Sequence, residues 1–215
     1  MTEKTLSGRI AIITGANQGL GREISKSYVT AGANVMLCAR NYDLLEKVEL
    51  ELNPLLGENQ KIFIKKCDVT NVNEVNALVD DTFDKLGGCQ ILVNNAGIYG
   101  PKGAIEDQDW DEWKKAIEIN VFGSVLMCRA LIPHFKRQNY GKIIQLSGGG
   151  ATKPLPNLSV YATSKAAIVR FADTLAEEVR SFGIDVNAIA PGALNTNMLQ
   201  EILDSEPEKV GKDFY

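Results

Sequence analysis

A tyrosine and a lysine stand four residues apart in the stretch YATSK at 161–165. Residues four apart on a helix share a face, so the ammonium of Lys165 can lie near the hydroxyl of Tyr161. A free tyrosine has a pKa of about 10, and a nearby cation lowers that pKa by favouring the phenolate. Such a phenol can give a proton to a carbonyl oxygen or take one from an alcohol. An ordinary helix pair without chemistry is the alternative interpretation.

A glycine-rich loop, TGANQGLG at 14–21, follows the first apolar run and precedes a helical pattern. Glycines let the backbone approach a bulky ligand, and the N-terminus of the helix attracts phosphate. The placement is that of a dinucleotide site, although the spacing GxxxGxG differs from GxGxxG. A plain glycine turn is the alternative. The predicted cofactor contacts in this loop are Gly15, Asn17, Gln18, Gly19, Leu20 and Gly21.

The second apolar run ends in CAR at 38–40, where a dinucleotide site for NAD carries an acidic residue that holds the ribose hydroxyls. A guanidinium at Arg40 instead suits the 2′-phosphate of NADP, unless Arg40 is only a solvated surface residue. The sequence therefore favours NADP(H) as the cofactor, with NAD(H) possible.

Two later runs also end in candidate cofactor contacts. Asp68 either accepts a hydrogen bond from the adenine amine or caps the next helix, and Val69 follows it. The turn NNAG at 94–97 lies where a nucleotide would pass. The residues predicted to line the cofactor there are Asn94, Ala96 and Gly97.

The elements that must position these residues alternate along the chain. The apolar runs are nearly continuous, as is typical of strands that are covered on both faces. The predicted strands are 9–14, 34–39, 61–67, 90–94, 142–147 and 184–190, and the predicted helices are 19–31, 42–53, 72–86, 109–136 and 159–182. This alternation predicts an α/β fold with a doubly wound parallel sheet, a Rossmann fold, in a single domain over residues 1–215.

Composition narrows the function classes. The formal net charge of -4 gives no basic surface for nucleic acid. We expect no membrane span, because no apolar run approaches roughly 18 residues. The N-terminal stretch MTEKTLSGR lacks the apolar core of a signal peptide, which predicts a cytoplasmic protein.

The sequence also has few residues that could form a metal site or the catalytic site of a hydrolase. The lone His134 excludes a zinc site built from several histidines, and the four scattered cysteines are expected to be reduced and buried. A serine hydrolase would need His134 as its base, yet the sequence holds no GxSxG motif. We therefore expect no metal site.

Taken together, the motifs resemble those of the short-chain dehydrogenase/reductase superfamily. TGANQGLG, NNAG, the asparagine of INVFG, YATSK and PG at 191–192 occur in the order and spacing of that family, over roughly residues 5–200. The resemblance implies an NAD(P)-dependent oxidoreductase that interconverts a hydroxyl and a carbonyl on a small molecule, and a homodimer or homotetramer.

The resemblance also implies roles for single residues. Tyr161 is similar to the family's catalytic acid/base, and Lys165 to the lysine that binds the nicotinamide ribose and lowers the tyrosine pKa. Asn120 resembles the asparagine that holds a water of the proton relay. The PG pair implies that Pro191 and Gly192 belong to the cofactor cleft.

Two features depart from the family pattern. The family serine usually stands thirteen residues before the tyrosine, which falls on Gly148, whereas Ser147 is fourteen before it. Either a one-residue insertion gives Ser147 that role, or the role is weakened or moved. The family also usually continues through another helix and a seventh strand. The pattern here predicts a sheet without that last strand, and we expect the natural chain to extend beyond Tyr215.

Two other functions stay open on the sequence alone. A non-catalytic nucleotide-binding scaffold would keep the fold, and the glycine at position 148 favours it. Epimerase or dehydratase chemistry with tightly held NAD is the second, although its larger relatives carry a substrate domain that 215 residues cannot hold.

Overall fold

The alternating runs form one parallel sheet with helices on both faces. The computed structural model describes residues 4–192 and 194–210. Neighbouring strands are all parallel, in the order β3-β2-β1-β4-β5-β6, which confirms the predicted Rossmann fold. Within the described residues β6 is an edge strand and there is no seventh. The strands are β1 (Ile10–Thr14), β2 (Asn34–Ala39), β3 (Ile62–Lys66), β4 (Ile91–Asn94), β5 (Gly141–Leu146) and β6 (Ile184–Ile189).

Five long helical segments lie where the sequence predicts them, and two short helices follow β6. Asparagine and aspartate side chains accept hydrogen bonds from backbone N–H groups at three of the starts: Asn41 at α2, Asn71 at α3 and Asp109 at α4. The helices are α1 (Gly19–Thr30), α2 (Tyr42–Leu52), α3 (Val72–Leu86), α4 (Trp110–Ile117), α5 (Gly123–Gln138), α6 (Ser159–Val179), α7 (Asn197–Leu203) and α8 (Pro207–Val210).

The core has two layers because successive strand residues point to opposite faces of the sheet. Ile12 and Leu92 face the layer formed with α3, α5 and α6. Ile13 and Val93 face the layer formed with α1 and α2. Strands that are covered in this way need apolar residues on both faces, which explains the continuous apolar runs.

Residues Trp110–Gln138 form one continuous helical stretch of 29 residues, in which a π turn at Glu118–Phe122 joins α4 to α5. A window of this stretch has a mean hydropathy of 1.4, enough by length and composition for a membrane span, and 44% of it is buried inside the protein. The sequence analysis expected no apolar stretch of this length. Met127, Leu131 and Phe135 pack against the sheet, as the side chains of a core helix do.

Candidate active site

A cleft of about 1600 Å³ opens at the carboxyl ends of the strands. The strand order reverses between β1 and β4, and in doubly wound sheets ligands bind at this point. All the predicted site residues except Asn94 and Asn120 line the cleft. Those that line it are Gly15, Asn17, Gln18, Gly19, Leu20, Gly21, Arg40, Asp68, Val69, Ala96, Gly97, Ser147, Tyr161, Lys165, Pro191 and Gly192.

Two positions of the glycine loop between β1 and α1 leave no room for a side chain. Gly15 has a φ of 62°, and a Cβ on it would lie 2.9 Å from Cα of Ala96. A Cβ on Gly21 would overlap the carbonyl oxygen of Gly15. The loop therefore presents bare backbone and the start of α1 to the cleft, which fits the phosphates of a dinucleotide.

Asn95, which the sequence analysis left out, fixes the glycine loop against the end of β4. Its Nδ2 donates to the carbonyl oxygens of Thr14 at 2.9 Å and Gly15 at 3.1 Å. The Thr14 hydroxyl oxygen in turn accepts from the backbone N–H groups of Asn95 and Ala96, both at 3.0 Å. The NNAG motif contains this signal, since its second asparagine directly follows the strand.

Asn94, one of the predicted cofactor contacts, does not line the cleft. Asn94 is the last residue of β4 and is 4% exposed. Its side chain points to the opposite face, where Nδ2 donates to the carbonyl oxygen of Ser124 at 3.3 Å and to Sγ of Cys128 at 3.5 Å. Because side chains alternate along a strand, Asn94 faces α5.

At the end of the cleft next to β2 and β3, Asp68 does not cap a helix. Its Oδ1 accepts hydrogen bonds from the backbone N–H and the hydroxyl of Thr70 at 2.9 and 2.8 Å, while Asn71 caps α3. The capping alternative is therefore wrong. The carboxylate lines the cleft, and Arg40 is exposed at the end of β2 on the same rim.

Tyr161 and Lys165 share the face of α6 that closes the other end of the cleft. Nζ of Lys165 lies 5.6 Å from the centre of the Tyr161 ring and donates to the carbonyl oxygen of Leu146 at 2.8 Å. Lys165 is 6% exposed, and burial lowers its pKa to about 8. The ammonium of Lys165 therefore lies close to the Tyr161 ring, as the spacing of the two residues predicts.

The predicted lowering of the Tyr161 pKa does not hold for the protein chain alone. Tyr161 is half-buried, and burial raises its pKa because the phenolate loses hydration. The cation of Lys165 does not outweigh that loss across this distance. A pKa below the ordinary value therefore requires a further positive charge next to the phenol.

Gly148, rather than Ser147, faces the Tyr161 hydroxyl. A Cβ on Gly148 would lie 2.6 Å from Oη of Tyr161. The Ser147 hydroxyl donates instead to the backbone carbonyl of Lys165 at 3.3 Å, and Ser147 is 6% exposed. The interpretation that an insertion returns Ser147 to the tyrosine is therefore wrong in this geometry, because position 148 holds the place beside the hydroxyl.

Asn120 lies in the π turn and connects three parts of the site. Its Oδ1 accepts from the backbone N–H of Ile98 at 2.8 Å, and its Nδ2 donates to the Ile98 carbonyl at 2.8 Å and to Oγ of Ser164 at 2.9 Å. The side-chain amide thus holds the loop after β4 to α6. Both N–H groups of the amide are used in these contacts, whereas Oδ1 keeps a second lone pair with which it can accept a hydrogen bond from a relay water.

Comparison with known proteins agrees with this site. A family model described as short chain dehydrogenase matches residues 9–207. The chain is 36% identical over 204 residues to a 7alpha-hydroxysteroid dehydrogenase of Escherichia coli (strain K12), covering 95% of this chain and 78% of that protein. It is 32% identical over 203 residues to an L-fucose dehydrogenase of Oryctolagus cuniculus, covering 94% and 68% of the two chains.

Solved structures share the fold over nearly the whole chain. A 3-ketoacyl-(acyl-carrier-protein) reductase from Brucella melitensis complexed with NADH matches with a TM-score of 0.85 and 32% identity, over 90% of this chain and 79% of that one. An NAD⁺-bound xylitol dehydrogenase matches with a TM-score of 0.88 and 27% identity, over 97% and 84%. The chain belongs to the short-chain dehydrogenase family and is an NAD(P)-dependent oxidoreductase that acts on hydroxyl and carbonyl groups.

Proposed function

We propose that this enzyme interconverts a secondary alcohol and a ketone on a largely apolar molecule, with NADP(H) as the preferred cofactor and Tyr161 as the proton donor and acceptor. The observation that carries the proposal is the single cleft that joins the bare glycine loop to Tyr161 and Lys165. When bound, the nicotinamide supplies or accepts the hydride.

The protein's own part in the reaction is binding and proton transfer. The glycine loop would hold the cofactor's phosphates, and buried Lys165 would hold the ribose next to the nicotinamide. Tyr161 gives its proton to the carbonyl oxygen during reduction and takes it back from the alcohol during oxidation. Burial raises the pKa of Tyr161, so in the chain alone the phenol is protonated at neutral pH and holds the proton that reduction requires.

The preference for NADP(H) is supported by the rim of the cleft. Arg40 and Lys66 are both exposed and both line it, and Lys66 stands opposite Ala39 in the register of β2 and β3. Two cations suit a 2′-phosphate, and the β2 end carries Ala39 in place of the acid that binds ribose hydroxyls.

The substrate half of the cleft favours an apolar skeleton. The apolar side chains of the lining there are Tyr99, Leu155, Leu194, Met198 and Leu199, and Lys153 and Thr196 are its polar members. Such a surface stabilises hydrocarbon and offers few partners for the hydroxyls of a sugar. A steroid-like substrate, as the name of the similar 7alpha-hydroxysteroid dehydrogenase indicates, therefore fits this cleft better than a sugar such as L-fucose.

A panel of carbonyl compounds and alcohols tests the proposal. The panel contains α-tetralone, cyclohexanone, a hydroxysteroid and L-fucose, each assayed with NADPH or NADH for reduction and with NADP⁺ or NAD⁺ for oxidation. We expect turnover of the apolar members with the phosphorylated cofactor. Cofactor binding without turnover of any member would instead indicate a nucleotide-binding scaffold.

Two substitutions test the assigned residues. Tyr161→Phe keeps the ring and removes the hydroxyl, so turnover should fall by roughly 10²–10⁴-fold while cofactor affinity stays unchanged.

Arg40→Asp should move the preference toward NAD(H) by a factor of about ten or more, because a charge-assisted contact is lost. A wild type that favours NAD(H) would contradict the proposed role of Arg40.

We also propose a homodimer or homotetramer located in the cytoplasm, without a nucleic-acid or membrane partner. Trp110 and Phe122 are two large apolar side chains of the long helix that remain exposed, and together they support association through this helix. All four cysteines are free and buried, which supports a reducing compartment.

A further inference from the structure

The reacting oxygen lacks one donor that this chemistry uses. Negative charge builds on a carbonyl oxygen as hydride arrives, and a second hydrogen-bond donor beside the proton donor stabilises that charge. Gly148 brings no hydroxyl to the oxygen of Tyr161, and Ser147 directs its own hydroxyl to the Lys165 carbonyl. A second donor must therefore come from another element of the cleft.

Tyr99 is placed for this task in the loop after β4. Its ring packs on the ring of Tyr161, with the centroids 4.7 Å apart and the planes tilted by 50°. Both side chains line the same cleft. The side chain of Tyr99 belongs to an apolar cluster that includes Leu158 and Ile202, and this packing restrains its ring.

The Tyr99 hydroxyl is also available. It makes no hydrogen bond with any residue in the described part of the chain, although the residue as a whole is only 8% exposed. The phenol oxygen is not one of the buried side-chain atoms that lack a partner, so it reaches the open cleft, where a ligand can accept its hydrogen bond. Burial, together with the nearness of Tyr161, raises the pKa of Tyr99 to about 12, so the group remains a donor throughout the working range of pH.

We propose that Tyr99 donates the second hydrogen bond to the substrate oxygen, beside Tyr161, a bond that neither Gly148 nor Ser147 supplies. The inference rests on the proposed reaction at Tyr161. It assigns proton transfer to Tyr161 and polarisation of the carbonyl to Tyr99, which stays protonated in both directions of the reaction.

Replacing Tyr99 with phenylalanine removes only the hydroxyl. With α-tetralone and NADPH, we expect kcat/KM to fall about 10- to 100-fold, since one donor to a developing oxyanion is lost, while cofactor affinity is unchanged. Tyr28→Phe, on α1 and outside the cleft lining, is the matched control and should behave as the wild type.

The stretching frequency of the bound carbonyl separates donation from packing. In a complex of enzyme, NADP⁺ and ¹³C=O-labelled α-tetralone, each hydrogen bond lowers that frequency in the infrared spectrum. Tyr99→Phe should raise it relative to the wild type and to Tyr28→Phe. An unchanged frequency and an unchanged kcat/KM would overturn the role of Tyr99 while the reaction itself stands. Failure of the wild type and of Tyr28→Phe to reduce any ketone would instead overturn the proposed reaction and this inference with it.

Discussion

At the scale of single residues, Lys165 shows how the site combines burial with charge. Its ammonium is inside the protein, held by one backbone carbonyl at 2.8 Å, and its pKa is about 8 against an ordinary value of 10.5. A buried charge of this kind opposes folding, and it is kept where a ligand can use it. The site therefore carries a cost in stability at neutral pH.

This cost predicts a pH dependence of stability. Between about pH 8 and about pH 10 the unfolded chain keeps the proton on Lys165, whereas the folded chain releases it, so the contribution of Lys165 to folding improves as pH rises. Relative to Lys165→Met, the wild type should gain at most about 3 kcal/mol in free energy of unfolding over this range. Urea unfolding of both proteins across the range measures the difference, in which the other titrating groups cancel. A difference that does not change with pH contradicts the low pKa.

Gly148 is the second residue with a testable consequence. Gly148→Ala places a methyl group 2.6 Å from the Tyr161 hydroxyl and must displace it. We expect turnover to fall at least about tenfold with little change in cofactor affinity, because a small misplacement of the acid costs that much or more. Gly149→Ala is the control, since a Cβ there meets no atom within 4 Å. Equal activity of the two variants would show that position 148 does not face the phenol.

At the scale of elements, the π turn and α7 define the walls of the site. In the π turn, the backbone N–H of Gly123 bonds the carbonyl of Glu118, five residues back, and Asn120 inside it reaches both Ile98 and Ser164. On the opposite wall, residues of α7 pack over the substrate half of the cleft. Besides the packing of Tyr99 with Ile202, a polar contact joins α7 to the loop after β4: Nζ of Lys102 donates to Oε1 of Glu201 at 2.8 Å and to the backbone carbonyl of Glu201 at 3.3 Å.

The contact between Lys102 and Glu201 predicts an effect on substrate binding. The side chain of Lys102 is 15% exposed and that of Glu201 is 56% exposed, so the pair is only partly shielded and salt weakens it. Glu201→Gln should loosen α7 and raise the KM for ketone about two- to fivefold, in line with the roughly 0.2–1 kcal/mol of such pairs, with kcat nearly unchanged. Glu206→Gln is the control, because its partner Lys209 lies outside the cleft lining. Added salt should reproduce the effect in the wild type but not in Glu201→Gln.

At the scale of the whole molecule, the sheet brings segments that are distant in the sequence together in one cleft. Carboxyl ends of parallel strands meet at one edge, so the glycine loop after β1, the NNAG turn after β4 and the Ser147–Gly148 pair after β5 become neighbours. The long helix from Trp110 to Gln138 covers the sheet with one face and leaves Phe122 54% exposed.

The outer face of this helix predicts the state of assembly. We expect a dimer or tetramer by light scattering, and Phe122→Glu should dissociate it, because a charge in an apolar contact loses its hydration. Leu50→Glu is the control, since Leu50 is 70% exposed on α2 at another face of the sheet. A wild-type monomer, or a variant at position 122 that assembles normally, would count against association through this helix.

The sequence by itself determined the elements and most of the cleft. Strand and helix positions follow from local periodicity, as at β2, where predicted and observed ends coincide at 34 and 39. The glycine loop could be predicted because its backbone conformation and its close contacts exclude a Cβ at Gly15 and Gly21. Only glycine fits such positions, so the sequence itself marks them.

Only the tertiary structure decided which way the side chains at the strand ends point, and what surrounds them. A shift of one residue along a strand reverses the face, so Asn95 rather than Asn94 holds the loop, and Gly148 rather than Ser147 meets the phenol. The pairing of Tyr99 with Tyr161 joins two separate elements. The direction of the Tyr161 pKa likewise depends on burial, which packing creates and no local pattern contains.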